Sequence, residues 1–552
     1  MFKIHSALSI VWFVLNHIPP SLWKLMDFVL DILLFWFQNL VALLQKKNPK
    51  SEAKKALSVA ESFEEWEQIA YYIDNLNGVD LWRHNPISKD YDYRLINERL
   101  NSLRAAKESN DVWKIISLFK SGLLRNFGGI SDKELFVKSY IGTKILIEEY
   151  IQEVLNCLYF INDFNVTNAY SSLKPNQMKL DLFHDARQTF GSTALILQGG
   201  SLFGLCHLGV IKALYFKGLL PRIISGSAVG AVIASFVCTL SEKELECNLL
   251  NIVKFISKEI DVSNYKASVD EMDTKYGNMI ENVFQKGYTQ DILIFIKYVR
   301  FKLGDLTFEE AYLKTDRILN ILVHPTDSSV PSLLNYVTAP NMIIWSALQC
   351  SIGTGVLSDD VRPYIKDLNN EIKPLKLHSC KFLSPHQISQ PNLSNYTVSA
   401  ESPYQRLTEL FNVNHFIVSL ARPYFAPLIG NDLKHSNSWY PKIMIKRILA
   451  LELQHRVYLL DKFGLLFKFI KRMAIDEKTP RTKSSEITIV PEFKTLVKDF
   501  GKIFDVNKYD ENIPYWILVG ERSAWPLIPI LWTRTSIEFA LDDLYNLNRK
   551  RK

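Results

Sequence analysis

One stretch, Thr193 to Cys238, limits what this chain can fold into more than any other. It reads TALILQGGSLFGLCHLGVIKALYFKGLLPRIISGSAVGAVIASFVC. Ala194–Leu197 is a short apolar run that stops at Gly199-Gly200. Beyond it Leu202, Phe203, Leu205, Leu208, Val210, Ile211 and Leu214 recur at helical spacing. Pro221 breaks that helix and Ile223-Ile224 starts a second strand. Gly226-Ser227-Ala228-Val229-Gly230 then opens a second helix running through Phe236. Strand, glycine turn, helix, strand, glycine turn, helix is a βαβα unit, which predicts parallel strands and a right-handed crossover.

Two glycine turns at the carboxyl ends of neighbouring strands make a site for negative charge. The backbone N–H groups of Gly199, Gly200 and Ser201 lie at a helix N-terminus, where free donors and the helix dipole favour an anion. Gly226 and Gly230 flank position 228 at −2 and +2. That is the arrangement of a nucleophile elbow, whose central residue sits strained and exposed on a tight turn and needs small flanks. An elbow beside an oxyanion loop is the equipment for acyl transfer, with attack from 228 and the oxyanion held by the amides of 199–201.

The glycine loop first, and the elbow about 30 residues later, resembles the patatin-like acyl hydrolases, which use a Ser–Asp dyad. QGGSLFGLCHLGVIKAL and GSAVGA resemble more narrowly the fungal and plant lipid-droplet triacylglycerol lipases. So do LWRHNPISKDYDY (81–93), LLRNFGGI (123–130), LLNYVTAPNMIIWSALQCSIGTG (333–355) and ESPYQRLTELFNVNHFIVSLARPYFAPL (401–428). The likeness runs from about Pro19 to the C-terminus and is nearest a yeast branch with an N-terminal membrane segment. It implies a three-layer α/β/α fold with a mostly parallel sheet, flanked by helical N- and C-terminal regions. It also implies a serine-type acyl hydrolase that releases fatty acids from triacylglycerol and other acyl esters. No cofactor is implied.

Two positions depart from that pattern. The centre of the elbow is Ala228 where serine is expected, and no frame shift repairs this. Ser227 would have Ser225 and Val229 at its ±2 positions, and Ser225 would have Ile223 and Ser227. A dyad also needs a carboxylate to take the nucleophile's proton. The resemblance places it in an Asp-Gly motif shortly before RLTELFNV, where this chain has Lys381-Phe382-Leu383-Ser384-Pro385. Glu401 and Asp432 are the nearby carboxylates and remain the two alternatives for the acid/base position. The chain as written is expected to hydrolyse poorly.

With 552 residues, 47% of them hydrophobic, the chain can bury a large core in more than one unit. A net charge of +7, from 65 basic and 58 acidic residues, is too weak and dispersed for nucleic acid but suits an anionic membrane surface. The six cysteines form no C-x-x-C and lie mostly in apolar runs, which points to free core thiols in a cytosol-facing protein. No metal-ligand spacing appears, and GGSLFG (199–204) does not fit a dinucleotide fingerprint.

Residues 1–50 predict a hairpin at a membrane interface. Ala7–Leu15 is too short to span, Pro19-Pro20 turns the chain, and Leu22–Leu44 carries Lys24, Asp27, Asp31 and Gln38 on one helical stripe. A lipid-droplet surface or the endoplasmic-reticulum membrane is the expected partner. Residues 51–190 predict a helical domain with Trp66, Trp82 and Trp113 as core anchors. Residues 191–435 predict the patatin-like domain, and 436–552 a helical C-terminal region. Strands are expected at Ile318–Val323 and Leu334–Val337, and a helix at Met342–Cys350. The segment 276–303 suits either an acyl-chain pocket or ordinary core. Trp516, Trp525 and Trp532 suit either a membrane interface or the core. Glu477–Glu486 reads as an exposed loop and possible phosphorylation target, and His207, between Leu205 and Leu208, as a packed or capping residue. In this lipase branch a His-x-x-x-x-Asp motif is associated with lysophospholipid acyl transfer. Here its counterpart is Lys286…Asp291, which does not support that second activity. Three readings follow: a triacylglycerol lipase silenced at one residue, a pseudoenzyme that binds or scaffolds at droplets, and, more weakly, a phospholipase or lysophospholipid acyltransferase.

Overall fold

The computed structural model describes residues 49–164, 175–199, 203–259, 290–326, 329–353, 361–375, 380–383, 403–421, 486–491 and 509–550, with isolated positions at 31–36 and 448–460. The chain divides into two compact units, Met1–Asn77 and Gly78–Lys552. In the first, α1 (Pro49–Leu57) packs on α2 (Phe63–Asn77), where Trp66, Ala70 and Ile73 are buried at the 3.6-residue period. The rest of residues 1–50, including the greater part of the expected hairpin, lies outside the described residues. Among the described residues no helix is long and apolar enough to cross a membrane.

The second unit is built on a six-stranded sheet in the order β4-β3-β2-β1-β7-β8. Its strands are β1 (Ser192–Gln198), β2 (Ile223–Ser227), β3 (Ile318–Leu322), β4 (Leu333–Leu334), β7 (Val413–Leu420) and β8 (Glu486–Ile489). A separate hairpin pairs β5 (Tyr364–Lys366) with β6 (Ile372–Pro374). All pairings in the main sheet are parallel except β3 with β4. Helices cover both faces. On one, Leu407 of α12 (Pro403–Phe411) packs on Ala194, Ile196, Phe416 and Val418. On the other lie α7 (Leu205–Phe216) and α8 (Val229–Thr239), the two crossover helices. This is the expected three-layer α/β/α fold.

α8 is buried over its whole length, apolar on all sides, and is therefore a core helix. Part of its cover is α9 (Gln290–Leu303), with Phe295 and Tyr298 against Phe236 at ring separations of 5.8 and 6.0 Å. One face of the described part of the 276–303 segment, with Phe295, Tyr298 and Val299, is thus core, while Phe301 is exposed. α7 is buried from Leu205 to Ile211, because it lies between the sheet and α13 (Tyr509–Ala524). The two helices touch through glycines. A Cβ on Gly209 would strike the carbonyl of Ile517, and one on Gly520 would strike the carbonyl of Cys206. Trp516 and Trp525 are buried and Trp532 is half-buried, so this tail packs within the protein.

Further helices of this unit include α3 (Tyr93–Glu108), α4 (Val112–Gly122), α5 (Ile145–Asp163), α6 (Pro175–Phe190), α10 (Phe308–Thr315), α11 (Ile344–Ile352) and α14 (Ile528–Lys550). Several expectations need correction. Trp113 is 55% exposed, because Val112, Ile115, Ile116 and Phe119 form the inner face of α4 and Trp113 falls off that stripe. Trp82 is half-buried and works as a cation platform, with the Lys144 Nζ 4.2 Å from its ring centre. The strand expected at Leu334–Val337 stops at Leu334, since the Asn335 side chain accepts from the N–H groups of Val337 and Thr338 and turns the chain. The expected loop of 477–486 ends in strand β8 at Glu486, and its other residues lie outside the described set. The helix expected from Met342 starts two residues later because Ile343 N–H donates across to the carbonyl of Tyr364.

At the amino ends of β1 and β7 a buried polar ring ties the sheet to the helical regions before and after it. Arg125, from LLRNFGGI, donates to Gly191 O (3.0 Å), Thr193 Oγ1 (3.1 Å), Arg534 O (2.7 Å) and Glu538 Oε2 (2.9 Å). Thr193 Oγ1 also donates to Glu538, and His415 lies between Thr193 Oγ1 (3.3 Å) and Arg534 (3.5 Å). Burial, then the charges of Arg125, Arg534 and Lys133, hold the His415 imidazole well below its usual 6.5. The unfolded chain therefore takes up a proton near pH 6.5 that the folded chain refuses, and stability declines as pH falls below that value. One such proton is worth up to about 1.4 kcal/mol per pH unit. His415→Gln, neutral throughout, is expected to flatten the loss of stability between about pH 6.5 and 5 in urea titrations. The raised carboxyl of Glu538 acts in the opposite sense but is common to both chains. Identical slopes in the two proteins would refute the assignment to His415.

Candidate active site

The register of the sheet brings the carboxyl ends of β1, β2 and β7 level, with Leu197 opposite both Gly226 and Ser419. The two glycine turns leave the sheet side by side from there. The first begins at Gly199, whose φ of 78° ends the strand in a conformation only glycine takes freely. Gly200 and Ser201, the other expected oxyanion donors, lie outside the described residues. The chain is described again from Phe203, which is buried edge-on against Trp516 at 5.4 Å just ahead of α7. His207 on α7 is fully buried, and its Nδ1 lies 2.8 Å from Ser419 Oγ on β7. It is a packed residue fastening the first turn of α7 to the sheet.

The second turn is the elbow. Ala228 joins β2 to α8 with φ 48° and ψ −114°, a conformation that costs a non-glycine residue about 1–3 kcal/mol. Its surroundings require a tight turn. A Cβ on Gly226 would collide with the backbone of Gly230 and Ala231, and one on Gly230 would collide with the carbonyl of Leu197. β1, β2 and the first turn of α8 therefore meet backbone to backbone, and the chain can leave β2 only through a sharp turn. Val232 N–H donates to Ala228 O (3.2 Å), placing residue 228 at the head of the helix. Ser225 and Ser227 lie inside β2 and are buried, so neither occupies the turn.

Ala228 N–H donates to the hydroxyl of Ser351 (3.0 Å), near the end of α11, and that hydroxyl donates to Leu322 O (2.6 Å), the last residue of β3. Nothing local in CSIGTG indicates that Ser351 reaches the elbow, because the contact spans 123 residues of sequence. Lys381-Phe382-Leu383, where an Asp-Gly motif was expected, runs antiparallel beside the extension of β3. Thr326 N–H donates to Lys381 O, and Leu383 N–H to His324 O, each at 2.9 Å. The segment thus lies at the carboxyl end of the sheet but carries no carboxylate. Glu401, Asp432 and Lys286 lie outside the described residues. Among the described residues no group of His, Cys, Asp and Glu could hold a metal ion. The Cys206, Cys238 and Cys350 thiols are pushed up by burial, which makes them poor nucleophiles.

The strain at Ala228 has a measurable consequence. Glycine adopts this conformation freely, and the relief exceeds the roughly 0.5–1 kcal/mol that glycine's extra freedom in the unfolded chain costs. Ala228→Gly is expected to raise stability by about 1 kcal/mol in chemical denaturation. A lower midpoint would mean that residue 228 is not strained.

Comparison with known proteins fits this architecture. Residues 43–188 match a family described as a domain of unknown function (DUF3336), and residues 195–364 match the patatin-like phospholipase family. Triacylglycerol lipase 3 of Saccharomyces cerevisiae is 37% identical, over 99% of this chain and 97% of its own length. Triacylglycerol lipase ptl1 of Schizosaccharomyces pombe is 34% identical over 98% of this chain and 93% of its own. Triacylglycerol lipase ptl3 of the same yeast is 31% identical over 91% and 99%. A strained, glycine-walled elbow on a patatin-type sheet, in a chain that aligns with these lipases almost from end to end, makes this protein a member of the patatin-like triacylglycerol lipase family.

Proposed function

We propose that this chain is a triacylglycerol lipase of the serine acyl-hydrolase type whose hydrolytic step is silenced by alanine at position 228. One observation carries the reading: residue 228 is held in the strained elbow although its side chain can no longer react. With serine there, the hydroxyl oxygen would attack the ester carbonyl and its proton would pass to a carboxylate, Glu401 or Asp432. The tetrahedral oxyanion would rest on the amides of Gly199, Gly200 and Ser201. Collapse would release a diacylglycerol that takes up the proton, and water would then free the fatty acid from the acyl-serine. Loss of a serine nucleophile typically costs about 10⁴–10⁶ in rate. The same carboxylate that accepts the first proton would activate that water, so no metal or cofactor enters the scheme.

A second reading is favoured by the two departures together, Ala228 and the segment Lys381-Phe382-Leu383. On it the protein is a binding or scaffolding partner at the lipid surface. Fatty-acid release from a triacylglycerol emulsion separates the two. Ala228→Ser is expected to raise it by at least about 10³-fold. Two inert chains that still bind the emulsion would establish the scaffold, and full activity with Ala228 would show that the nucleophile lies elsewhere.

We place the protein on the cytosolic face of the lipid droplet or endoplasmic reticulum, through residues 1–50. A polar stripe on an apolar helix supports lying in an interface, and a droplet monolayer has no second aqueous face to reach. Removal of residues 1–50 is expected to move the protein from the floating droplet fraction to the supernatant of a density gradient. Unchanged flotation would assign the attachment to another surface.

A further inference from the structure

The hydroxyl of Ser351 is fully buried and makes two bonds, both away from its own helix. That is unusual here. Ser235 and Thr239 in α8 and Thr535 in α14 each turn the hydroxyl back to the carbonyl four residues earlier. Ser351 instead reaches sideways, accepting from the N–H of Ala228 and donating to the carbonyl of Leu322. Leu322 is the register partner of Ser227, so one hydroxyl joins the ends of two paired strands at the point where β2 becomes the elbow.

We propose that Ser351 is a positioning residue of this site, holding the backbone of residue 228 in its strained conformation. The glycines at 226 and 230 remove obstacles to the turn but do not choose the orientation of the peptide between Ser227 and Ala228. A buried N–H must find an acceptor, and the acceptor provided is Ser351, which therefore fixes φ at 48°. Without it the N–H of 228 and the carbonyl of 322 would both be buried unpaired, and the peptide would gain by rotating away. A second consequence is that the amide of 228 is already engaged. It is not a donor for an oxyanion, which leaves that task to the glycine loop. The catalytic part of this inference rests on the hydrolase reading, but the conformational part does not.

Two measurements on the full-length chain separate the parts. The first is a double-mutant cycle in denaturation midpoint among the parent, Ser351→Ala, Ala228→Gly and the double variant. Because relaxation of the peptide releases strain only when residue 228 is alanine, the midpoint lost on Ser351→Ala is expected to be larger in the Ala228→Gly background, where no strain is released to offset the missing bonds. Equal losses in both backgrounds overturn the proposal. The second is the rate of labelling by a fluorophosphonate ester, measured on Ala228→Ser alone and on Ala228→Ser combined with Ser351→Ala or with Ser351→Cys. Ser351→Ala is expected to slow labelling at least tenfold. Ser351→Cys, similar in size with a weaker hydrogen bond, is expected to fall between. Affinity for a fluorescent triacylglycerol emulsion is expected to be unchanged, which a merely structural loss would not produce. Labelling indifferent to the residue at position 351 overturns the positioning role. If Ala228→Ser is not labelled at all, the hydrolase reading falls and the cycle alone decides whether Ser351 holds the elbow.

Discussion

The closeness of backbone to backbone at the head of α8 is the constraint on which the rest of the site depends. Gly226 lies against Gly230, and Gly230 against the carbonyl of Leu197, so no side chain separates β1, β2 and the helix that follows. At that distance the turn into α8 must be tight, and Ala228 makes it with a positive φ while its N–H is held by Ser351. The strain is local, about 1–3 kcal/mol, and is outweighed by the burial of a mainly apolar helix against the sheet. The strained conformation is thus held with alanine at its centre. Its geometry belongs to the packing and not to the side chain at 228.

The supports of the site come from distant parts of the chain. α13 approaches α7 through Gly209 and Gly520, and Trp516 braces Phe203, so the C-terminal helices set where the chain beyond the first glycine turn can run. Arg125 fastens the preceding helical region and α14 to the amino ends of β1 and β7, at the opposite end of the sheet from the elbow. Its carboxylate partner, Glu538, is 413 residues away in sequence. Removing one partner of such a buried pair would leave the other charge without compensation, typically a loss of about 3–5 kcal/mol. The helical flanks are thus part of the fold of the catalytic unit.

Much of this was legible in the sequence. The βαβα unit, the mostly parallel sheet, the elbow frame and four buried free cysteines follow from local patterns of period, glycine position and composition, whereas Cys247 is exposed and Cys380 half-buried. Where the reading failed, a local pattern met a competing contact. Trp113 sits one residue off the buried stripe of α4, and the strand after Leu333 is cut by the Asn335 side chain. Strand β8 begins at the last residue of a polar stretch and is only four residues long, too short for its alternating Ile487 and Ile489 to stand out.

The sequence alone determined that position 228 is the centre of an elbow and that alanine occupies it, because both depend only on which residues stand within two places of it. It also determined that no Asp-Gly pair precedes RLTELFNV. Only the tertiary structure decided that Ala228 takes φ 48°, that Ser351 accepts from its N–H and donates to Leu322 O, and that His207 is a fastening to Ser419. Those contacts join residues separated by 29 to 212 positions. A hydrogen bond between side chains or strand ends that meet only when the sheet is assembled leaves no periodic trace along the chain.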